Sequence, residues 1–280
     1  MEIITNKTFD NEREFFGMKD LLVDNCRFDG PADGESAFKE CSDIKVTQSF
    51  FNLRYPFWHD KNVTIDNSEL TDKCRAALWY SRDINIHNSR LHGIKALREC
   101  SGINITSSDI ISPEFGWRSS DINMKDTSAE SEYFMFESRG LLFENVTLKG
   151  KYSFQYVDDA QIVNCNFDTK DSFWHATNTT IKDSVIKGEY FSWYSDGLTL
   201  INCTIIGTQP LCYCKNLKLV NCKMIDCDWA FEKSEVDAVL TEKIDSIRNP
   251  KSGRIVCPGY NTLQQDDPNS KGEVIVSSRR

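Results

Sequence analysis

Glu99, Arg118 and Glu137 stand 19 residues apart, and Tyr156 and His175 continue the same spacing. Such residues could act together if the chain winds with that period, because each would lie beside the next. Two carboxylates flanking a guanidinium suit glycoside hydrolysis, in which one carboxyl group protonates the leaving oxygen and the other activates water. Inverting enzymes hold the pair about 6.5–9.5 Å apart, and two steps of strand spacing separate the Glu99 and Glu137 backbones by roughly 9.6 Å. His175 could serve as a general acid or base. In a polysaccharide or oligosaccharide lyase, Arg118 would instead offset a substrate carboxylate, with Tyr156 or His175 near the abstracted proton. The structural alternative is a surface ladder of ion pairs, each worth little. Glu99, Arg118, Glu137 and His175 are thus the catalytic candidates, and the sequence leaves open whether the protein is an enzyme.

The elements that would position them follow from a repeat. A template of apolar, any, apolar, any, Asn, then Cys or Ser starts at Leu21, Ile44, Val63, Ile84, Ile103, Ile122, Leu141, Ala160, Thr179, Leu198, Leu217 and Val236. The spacings are 23, 19 and 21, and 19 thereafter. Alternation with period two inside each unit reads as strand, and a fixed period of this length reads as a solenoid. Third positions such as Val23, Val46, Ile65 and Ile86 form one apolar column, and eighth positions such as Phe28, Phe51, Leu70 and Leu91 form another. The pattern predicts an all-β fold, a single-stranded parallel β-helix of about twelve rungs of about 19 residues. Residues 1–20 are expected as an N-terminal cap, 21–240 as the coil, and 241–280 as a C-terminal cap and tail, in one structural domain. The last dozen residues are expected to be mobile.

Asn at the fifth position, as in Asn25, Asn67, Asn145 and Asn202, tolerates the left-handed backbone that a corner needs. Stacked amides there are expected to form a ladder inside the coil. At the sixth position Cys26, Cys165, Cys203 and Cys222 trade places with serines, as small buried side chains would. The eleven cysteines are therefore expected to be free thiols packed in a reduced protein, although Cys203 and Cys222 fall on adjacent rungs.

Four residues before each start lies the column His59, Tyr80, Glu99, Arg118, Glu137, Tyr156, His175, Tyr194, Tyr213 and Glu232. One residue earlier stand Trp58, Trp79, Trp117, Trp174 and Trp193, with Arg98 and Gln155 among them. Strand alternation puts the tryptophans inward as core aromatics. It puts the other column outward, together with positions six and eight before each start. Those add Tyr133, Phe173 and Tyr190, and also Phe57, Leu78, Met135, Phe154 and Leu211. An exposed aromatic face of this size marks a binding surface. The ligand-binding candidates are His59, Tyr80, Tyr133, Tyr156, Phe173, Tyr190, Tyr194, Tyr213 and Glu232. Either a saccharide stacks its ring faces on these aromatics, or the face is buried in a homo-oligomer or partner complex.

A formal net charge of −9 argues against nucleic acid, whose affinity rests on cationic phosphate contacts. No apolar run is long enough to cross a membrane, and the first residues lack the features of an export signal, so a cytoplasmic protein is expected. Cys212, Cys214 and Cys227 match no metal spacing, and no cofactor is implied. Asp158, Asp159, Asp171 and Asp196 invite a calcium site, but acids at strand corners are common.

Three stretches carry a resemblance: Asn25-Cys26-Arg27-Phe28-Asp29-Gly30-Pro31-Ala32-Asp33-Gly34-Glu35-Ser36-Ala37, Arg54-Tyr55-Pro56-Phe57-Trp58-His59, and the segment from Ile244 to Gly253. With these the chain resembles an uncharacterised bacterial family of unknown function, DUF3737, over nearly its whole length. The resemblance implies the right-handed coil of the pectate-lyase-like superfamily, and a shared fold implies no shared activity. None of His59, His87, His92 or His175 sits in the Gly-His-Gly turn of polygalacturonase-like enzymes, and the calcium-binding aspartate cluster of pectate lyases is not evident.

Overall fold

The computed structural model describes residues 1–277. Among them there is no helix. Parallel strands stack into a right-handed β-solenoid of about 14 turns of roughly 19 residues. The chain packs as two compact units, Met1–Leu142 and Phe143–Arg280.

In the first unit, strands Lys19–Asp24, Ser42–Thr47, Lys61–Asp66, Arg82–His87, Ser101–Thr106 and Ser120–Lys125 pair in parallel, each with the next turn. The register lays Leu21 on Ile44, Val63, Ile84, Ile103 and Ile122 in turn, all buried. Branched side chains pack well on such a pleated, one-sided surface. A second sheet stacks Phe28, Phe51, Leu70, Leu91 and Ile110. The rings of Phe28 and Phe51 lie parallel, 4.5 Å apart. A third, short sheet holds Phe57–Trp58, Leu78–Trp79 and Leu97–Arg98.

The second unit repeats the first two sheets. Asp158–Val163, Thr177–Lys182, Thr199–Ile201, Leu217–Ile225 and Glu235–Leu240 form one of them. Thr147–Lys151, Asn166–Lys170, Val185–Lys187 and Thr204–Ile206 form the other.

Both expected caps are in fact coil. Glu2–Thr5 pairs with Leu21–Asp24, Thr8–Phe9 pairs with Arg27–Phe28, and Asn6 takes the corner conformation at φ 57°. Residues 1–20 thus make a turn of their own. At the other end, Ser252–Cys257 adds to Glu235–Leu240, and Glu273–Val276 adds to Ser252–Cys257. The expected mobile tail therefore includes a paired strand, and its last residues, 278–280, lie outside the described residues. The coil has about 14 turns rather than twelve for these reasons.

The fifth-position corners are left-handed as expected, with Asn25 at φ 49°, Asn67 at 46°, Asn145 at 56° and Asn202 at 53°. Their ladder, however, runs outside the coil. Asn164 donates to Asn145 Oδ1 at 2.6 Å and Asn202 to Asp183 Oδ1 at 3.0 Å, both among exposed groups. A second corner column stands one residue before each start: Asp20, Asp43, Asn62, Asp83, Asp121, Asp159, Asn178 and Asn216 are all left-handed. Gly102, Gly140 and Gly197 replace them in other turns.

The eleven cysteines are free and buried. Serine substitutes for them because both supply an acceptor to the turn before. The Cys26 amide donates to Ser49 Oγ at 3.1 Å, Ser49 to Ser68 and Ser68 to Ser89 at the same distance, each hydroxyl then bonding a carbonyl two residues back. In the second unit Val146 donates to Cys165 Sγ at 3.4 Å. These bonds satisfy buried amides where the chain turns between sheets.

On the third side the alternation of a strand breaks down. In the second unit Tyr152, Phe154 and Tyr156 all have positive φ, as do Asp171, Phe173 and His175, and Tyr190, Ser192 and Tyr194. A left-handed residue at every second position curls the chain instead of pleating it. Position parity then no longer assigns faces, and Phe154, Phe173 and Phe191 all turn inward. Among the described residues no non-glycine residue with positive φ is Val, Ile or Thr, the types for which that conformation is most costly.

Candidate functional site

The third side displays the column four residues before each start, and every residue in it from His59 to Tyr213 is left-handed, with φ between 50° and 60°. The sign of φ alone does not set the direction of a side chain, since Phe154 and Phe173 share it at φ 59° and 57° and are buried, whereas this place in the turn faces solvent. His59, Tyr80, Arg118, Glu137, Tyr156, His175 and Tyr194 are exposed, and Glu99, Tyr213 and Glu232 are half-buried.

The inward placement of the tryptophans is corrected. Trp58, Trp79, Trp117, Trp174 and Trp193 are half-buried on the shoulder of the coil, while the phenylalanines fill the core. Trp117 Nε1 donates to the Tyr133 carbonyl at 2.7 Å, Trp174 to that of Tyr190 and Trp193 to that of Gln209, both at 2.8 Å. Gln155, which takes a tryptophan's place, makes the same bond with its amide, to the Asp171 carbonyl at 2.9 Å. Arg98 takes another such place, its guanidinium 5.2 Å from the Trp79 ring centre and 5.0 Å from that of Trp117. Both polar residues thus fit an aromatic column.

Phe173 is withdrawn from the ligand-binding set, because its side chain is 0% exposed and its ring stacks on Phe154 at 4.5 Å. Phe57, Leu78, Met135, Phe154 and Leu211 are likewise core residues. Tyr133 and Tyr190 belong to the shoulder, edge-on to Trp117 and Trp193 at 6.0 and 5.5 Å.

In the first unit the column is mixed. His59 stacks on Tyr80 at 5.0 Å. Arg118 Nε donates to Glu137 Oε2 at 2.7 Å, and Glu99 lies instead 3.5 Å from Arg98. The acid–arginine–acid row therefore splits into two ion pairs. An acid–base mechanism needs one carboxyl free to give up a proton and another to take one, and both carboxylates here are engaged by guanidinium groups.

In the second unit the column is a stack of rings. Tyr156 lies on His175 at 4.9 Å, His175 on Tyr194 at 5.1 Å and Tyr194 on Tyr213 at 4.8 Å, with interplanar angles of 5°, 9° and 12°. Trp174 and Trp193 stack beside them at 5.4 Å and 6°. Beyond Tyr213, Glu232 takes an ion pair from Arg248 at 3.5 Å, and Arg248 lies over Trp229. Burial, followed by the charge of Glu232, pushes the Tyr213 phenol above its ordinary pKa. Parallel rings in contact spend their faces on each other. What they offer outward is a row of ring edges bearing phenol hydroxyls and an imidazole, the ring centres 4.8–5.1 Å apart. Face-on stacking of a sugar, the expected mode, is therefore blocked along the row.

One buried acid escaped the sequence reading. Asp60 is 1% exposed and fills a position that Cys41, Ser81 and Cys100 fill in neighbouring turns. Its Oδ1 accepts from the Cys41 amide at 2.8 Å, while Oδ2 is buried without a hydrogen-bond partner. Burial, reinforced by Glu40, raises its pKa to about 8. An acid in a Cys/Ser column was the signal available. Asp158 and Asp196 act as corner acceptors, from Asn178 at 2.9 Å and Asn216 at 2.7 Å. Among the described residues no three His, Cys, Asp or Glu side chains are grouped to hold a metal.

These features define a right-handed parallel β-helix whose third side carries a periodic display of side chains. The chain belongs to the family described as protein of unknown function (DUF3737), which it matches over residues 2–276. No curated protein matches it. Among solved structures it is similar to the surface adhesin PfbA of Streptococcus pneumoniae, at 10% identity and a TM-score of 0.40, over 76% of this chain and 71% of that one. It is also similar to the A-module of the mannuronan C-5 epimerase AlgE4 of Azotobacter vinelandii, at 11% identity and a TM-score of 0.38, over 85% and 80% of the two chains. Neither likeness bears on what this chain binds.

Proposed function

We propose that the ring ladder of the second unit, Tyr156, His175, Tyr194 and Tyr213, binds an extended polyhydroxylated ligand, a saccharide chain, without transforming it. The observation that carries this reading is the row of stacked rings whose centres step by 4.8–5.1 Å, comparable to the length of one pyranose unit. Tyrosine hydroxyls both donate and accept, which suits a ligand whose hydroxyls do the same. Tyr156 and Tyr194, 50% and 48% exposed, would lose that area to the ligand. The ion pairs of Glu99 and Glu137 speak against hydrolysis. Eleven buried, unpaired thiols fit a reducing compartment, and we place the protein in the cytoplasm.

The test is titration calorimetry with a panel of oligosaccharides on wild type and Tyr194→Ala. Binding of at least one glycan is expected near millimolar Kd or tighter, weakened about tenfold by the substitution, with an unchanged melting temperature. Silence of the whole panel at millimolar concentration would remove the reading. If the wild type instead proves to be a dimer that Tyr194→Lys converts to a monomer, the half-exposed rings serve a second copy of the chain.

A further inference from the structure

Lys233, Lys251 and Lys271 line a cavity of about 540 Å³ in the second unit. In a chain of net charge −9, three lysines in the lining of one hollow call for an explanation. Lys251 is held by Glu235, Nζ to Oε1 at 2.6 Å. Lys233 and Lys271 have no ion-pair partner among the described residues. The one carboxylate in the lining, Asp267, turns back on its own loop and accepts the amide of Asn269 at 2.9 Å.

Much of the cavity lining is fixed by hydrogen bonds. Asn249, 7% exposed, donates to Asp266 Oδ1 at 2.9 Å and accepts the amides of Asp266 and Asp267 at 3.0 and 3.2 Å. Ser270 Oγ donates to the Pro250 carbonyl at 2.8 Å, and the Lys271 amide donates to the Lys251 carbonyl at 3.0 Å. A side chain on Gly272 would stand 2.8 Å from Pro250 Cβ, so the loop closes tightly there. The cavity is thus preformed, and its volume lies within the range of small-molecule sites.

We infer that this cavity binds a small phosphate ester, the phosphate lying between the Lys233 and Lys271 ammonium groups and the remainder against the lysine stems and amide wall. Lysine serves phosphate as a mobile point charge, and its methylenes supply apolar contact beneath the charge. The volume exceeds what a bare phosphate fills, so a phosphorylated sugar or nucleoside is the fitting size. This site is separate from the ring ladder and stands without it.

The experiment is calorimetry on the full chain at low salt with glucose 6-phosphate, inorganic phosphate, glucuronate and glucose. Glucose 6-phosphate is expected to bind at about 1 mM or tighter, inorganic phosphate more weakly, and glucose not at all. Lys233→Gln with Lys271→Gln should weaken the ester about tenfold or more, while Tyr194→Ala leaves it unchanged. Both lysines are at the surface, so circular dichroism should report a folded double variant. Equal affinity of wild type and double variant, or no binding of either phosphate, would overturn the assignment. Binding of glucuronate alone would overturn its phosphate class.

Discussion

The two units carry different chemistry on the same backbone. In the first, the displayed column reads His59, Tyr80, Glu99, Arg118 and Glu137, and its later members are tied into ion pairs. In the second, Tyr156, His175, Tyr194 and Tyr213 form one ring stack. The φ angles of the two sets are the same within 10°, so one place in the turn, with one backbone conformation, carries either set of side chains. The units differ again beneath the column, where the first has a short sheet of Phe57–Trp58, Leu78–Trp79 and Leu97–Arg98. The second has left-handed residues at every other position there, a pattern that the last turns of the first unit share at Glu114, Gly116 and Arg118 and at Tyr133, Met135 and Glu137. Display is thus a property of the corner, and chemistry is added to it.

The strongest way to break this comparison is to remove what lies under the second column. Phe173→Ala should cost about 3–5 kcal/mol, the penalty of emptying a well-packed aromatic site, measured by urea denaturation of the purified chain. A loss below about 1 kcal/mol would mean that the ring is not the buried floor described.

A smaller effect is expected in the first unit at Asp60. Its folded pKa, about 8, is above that of the unfolded chain, about 4. Between those values the folded state keeps a proton that the unfolded state has lost, so the associated stability is fully present below about pH 4 and is lost as pH rises through about 8. Asp60→Ser installs the residue of neighbouring turns, whose hydroxyl takes the same amide bond. It should raise stability by about 1–3 kcal/mol at pH 8, with the gain shrinking toward acid pH. A gain that is the same at pH 5 and pH 8 would show that Asp60 is not the titrating group.

The smallest effects sharpen the rule about corners. Arg118→Tyr should stay within about 0.5 kcal/mol of wild type, as a surface change does, because Tyr80 and Tyr156 already occupy equivalent corners at φ 56° and 57°. Arg118→Val, with its β-branch at φ 51°, should cost about 1–2 kcal/mol. Equal melting temperatures for the two variants would count against a left-handed requirement.

How much of this was legible in the sequence differs from side to side of the coil. Sheets built from Val, Ile and Leu at alternate positions announced themselves, because a pleated strand gives each face a period of two. Asn25, Asn145 and Asn202 marked their corners for the same local reason, although the amide ladder lies outside rather than inside. The third side was misread. Its two-residue rule assumed a strand, and the chain there changes hand too often to have faces, which hid the burial of Phe173 and the shoulder position of the tryptophans. The first turn was missed because Glu2 stands where the template wants an apolar residue, although Asn6 and Phe9 fit. The last turns were missed because Pro250, Gly253 and Pro258 disguise a shortened period. The candidate column itself was placed outward correctly, but which members touch could not follow from spacing. Arg98 drawing Glu99 away from Arg118 depends on a side chain one residue off the column.

The ring stack also has an optical side. Tyr194, Tyr213 and Trp193 lie within 6.4 Å of one another, centre to centre, and are held in fixed mutual orientation. Electronic transitions so close and so rigidly arranged couple, and the near-ultraviolet dichroism of the second unit should carry a signed signature that isolated tyrosines lack. The protein thus contains its own chromophore array, and anything that settles on the column or prises one ring from the next would be read out in its spectrum without a label.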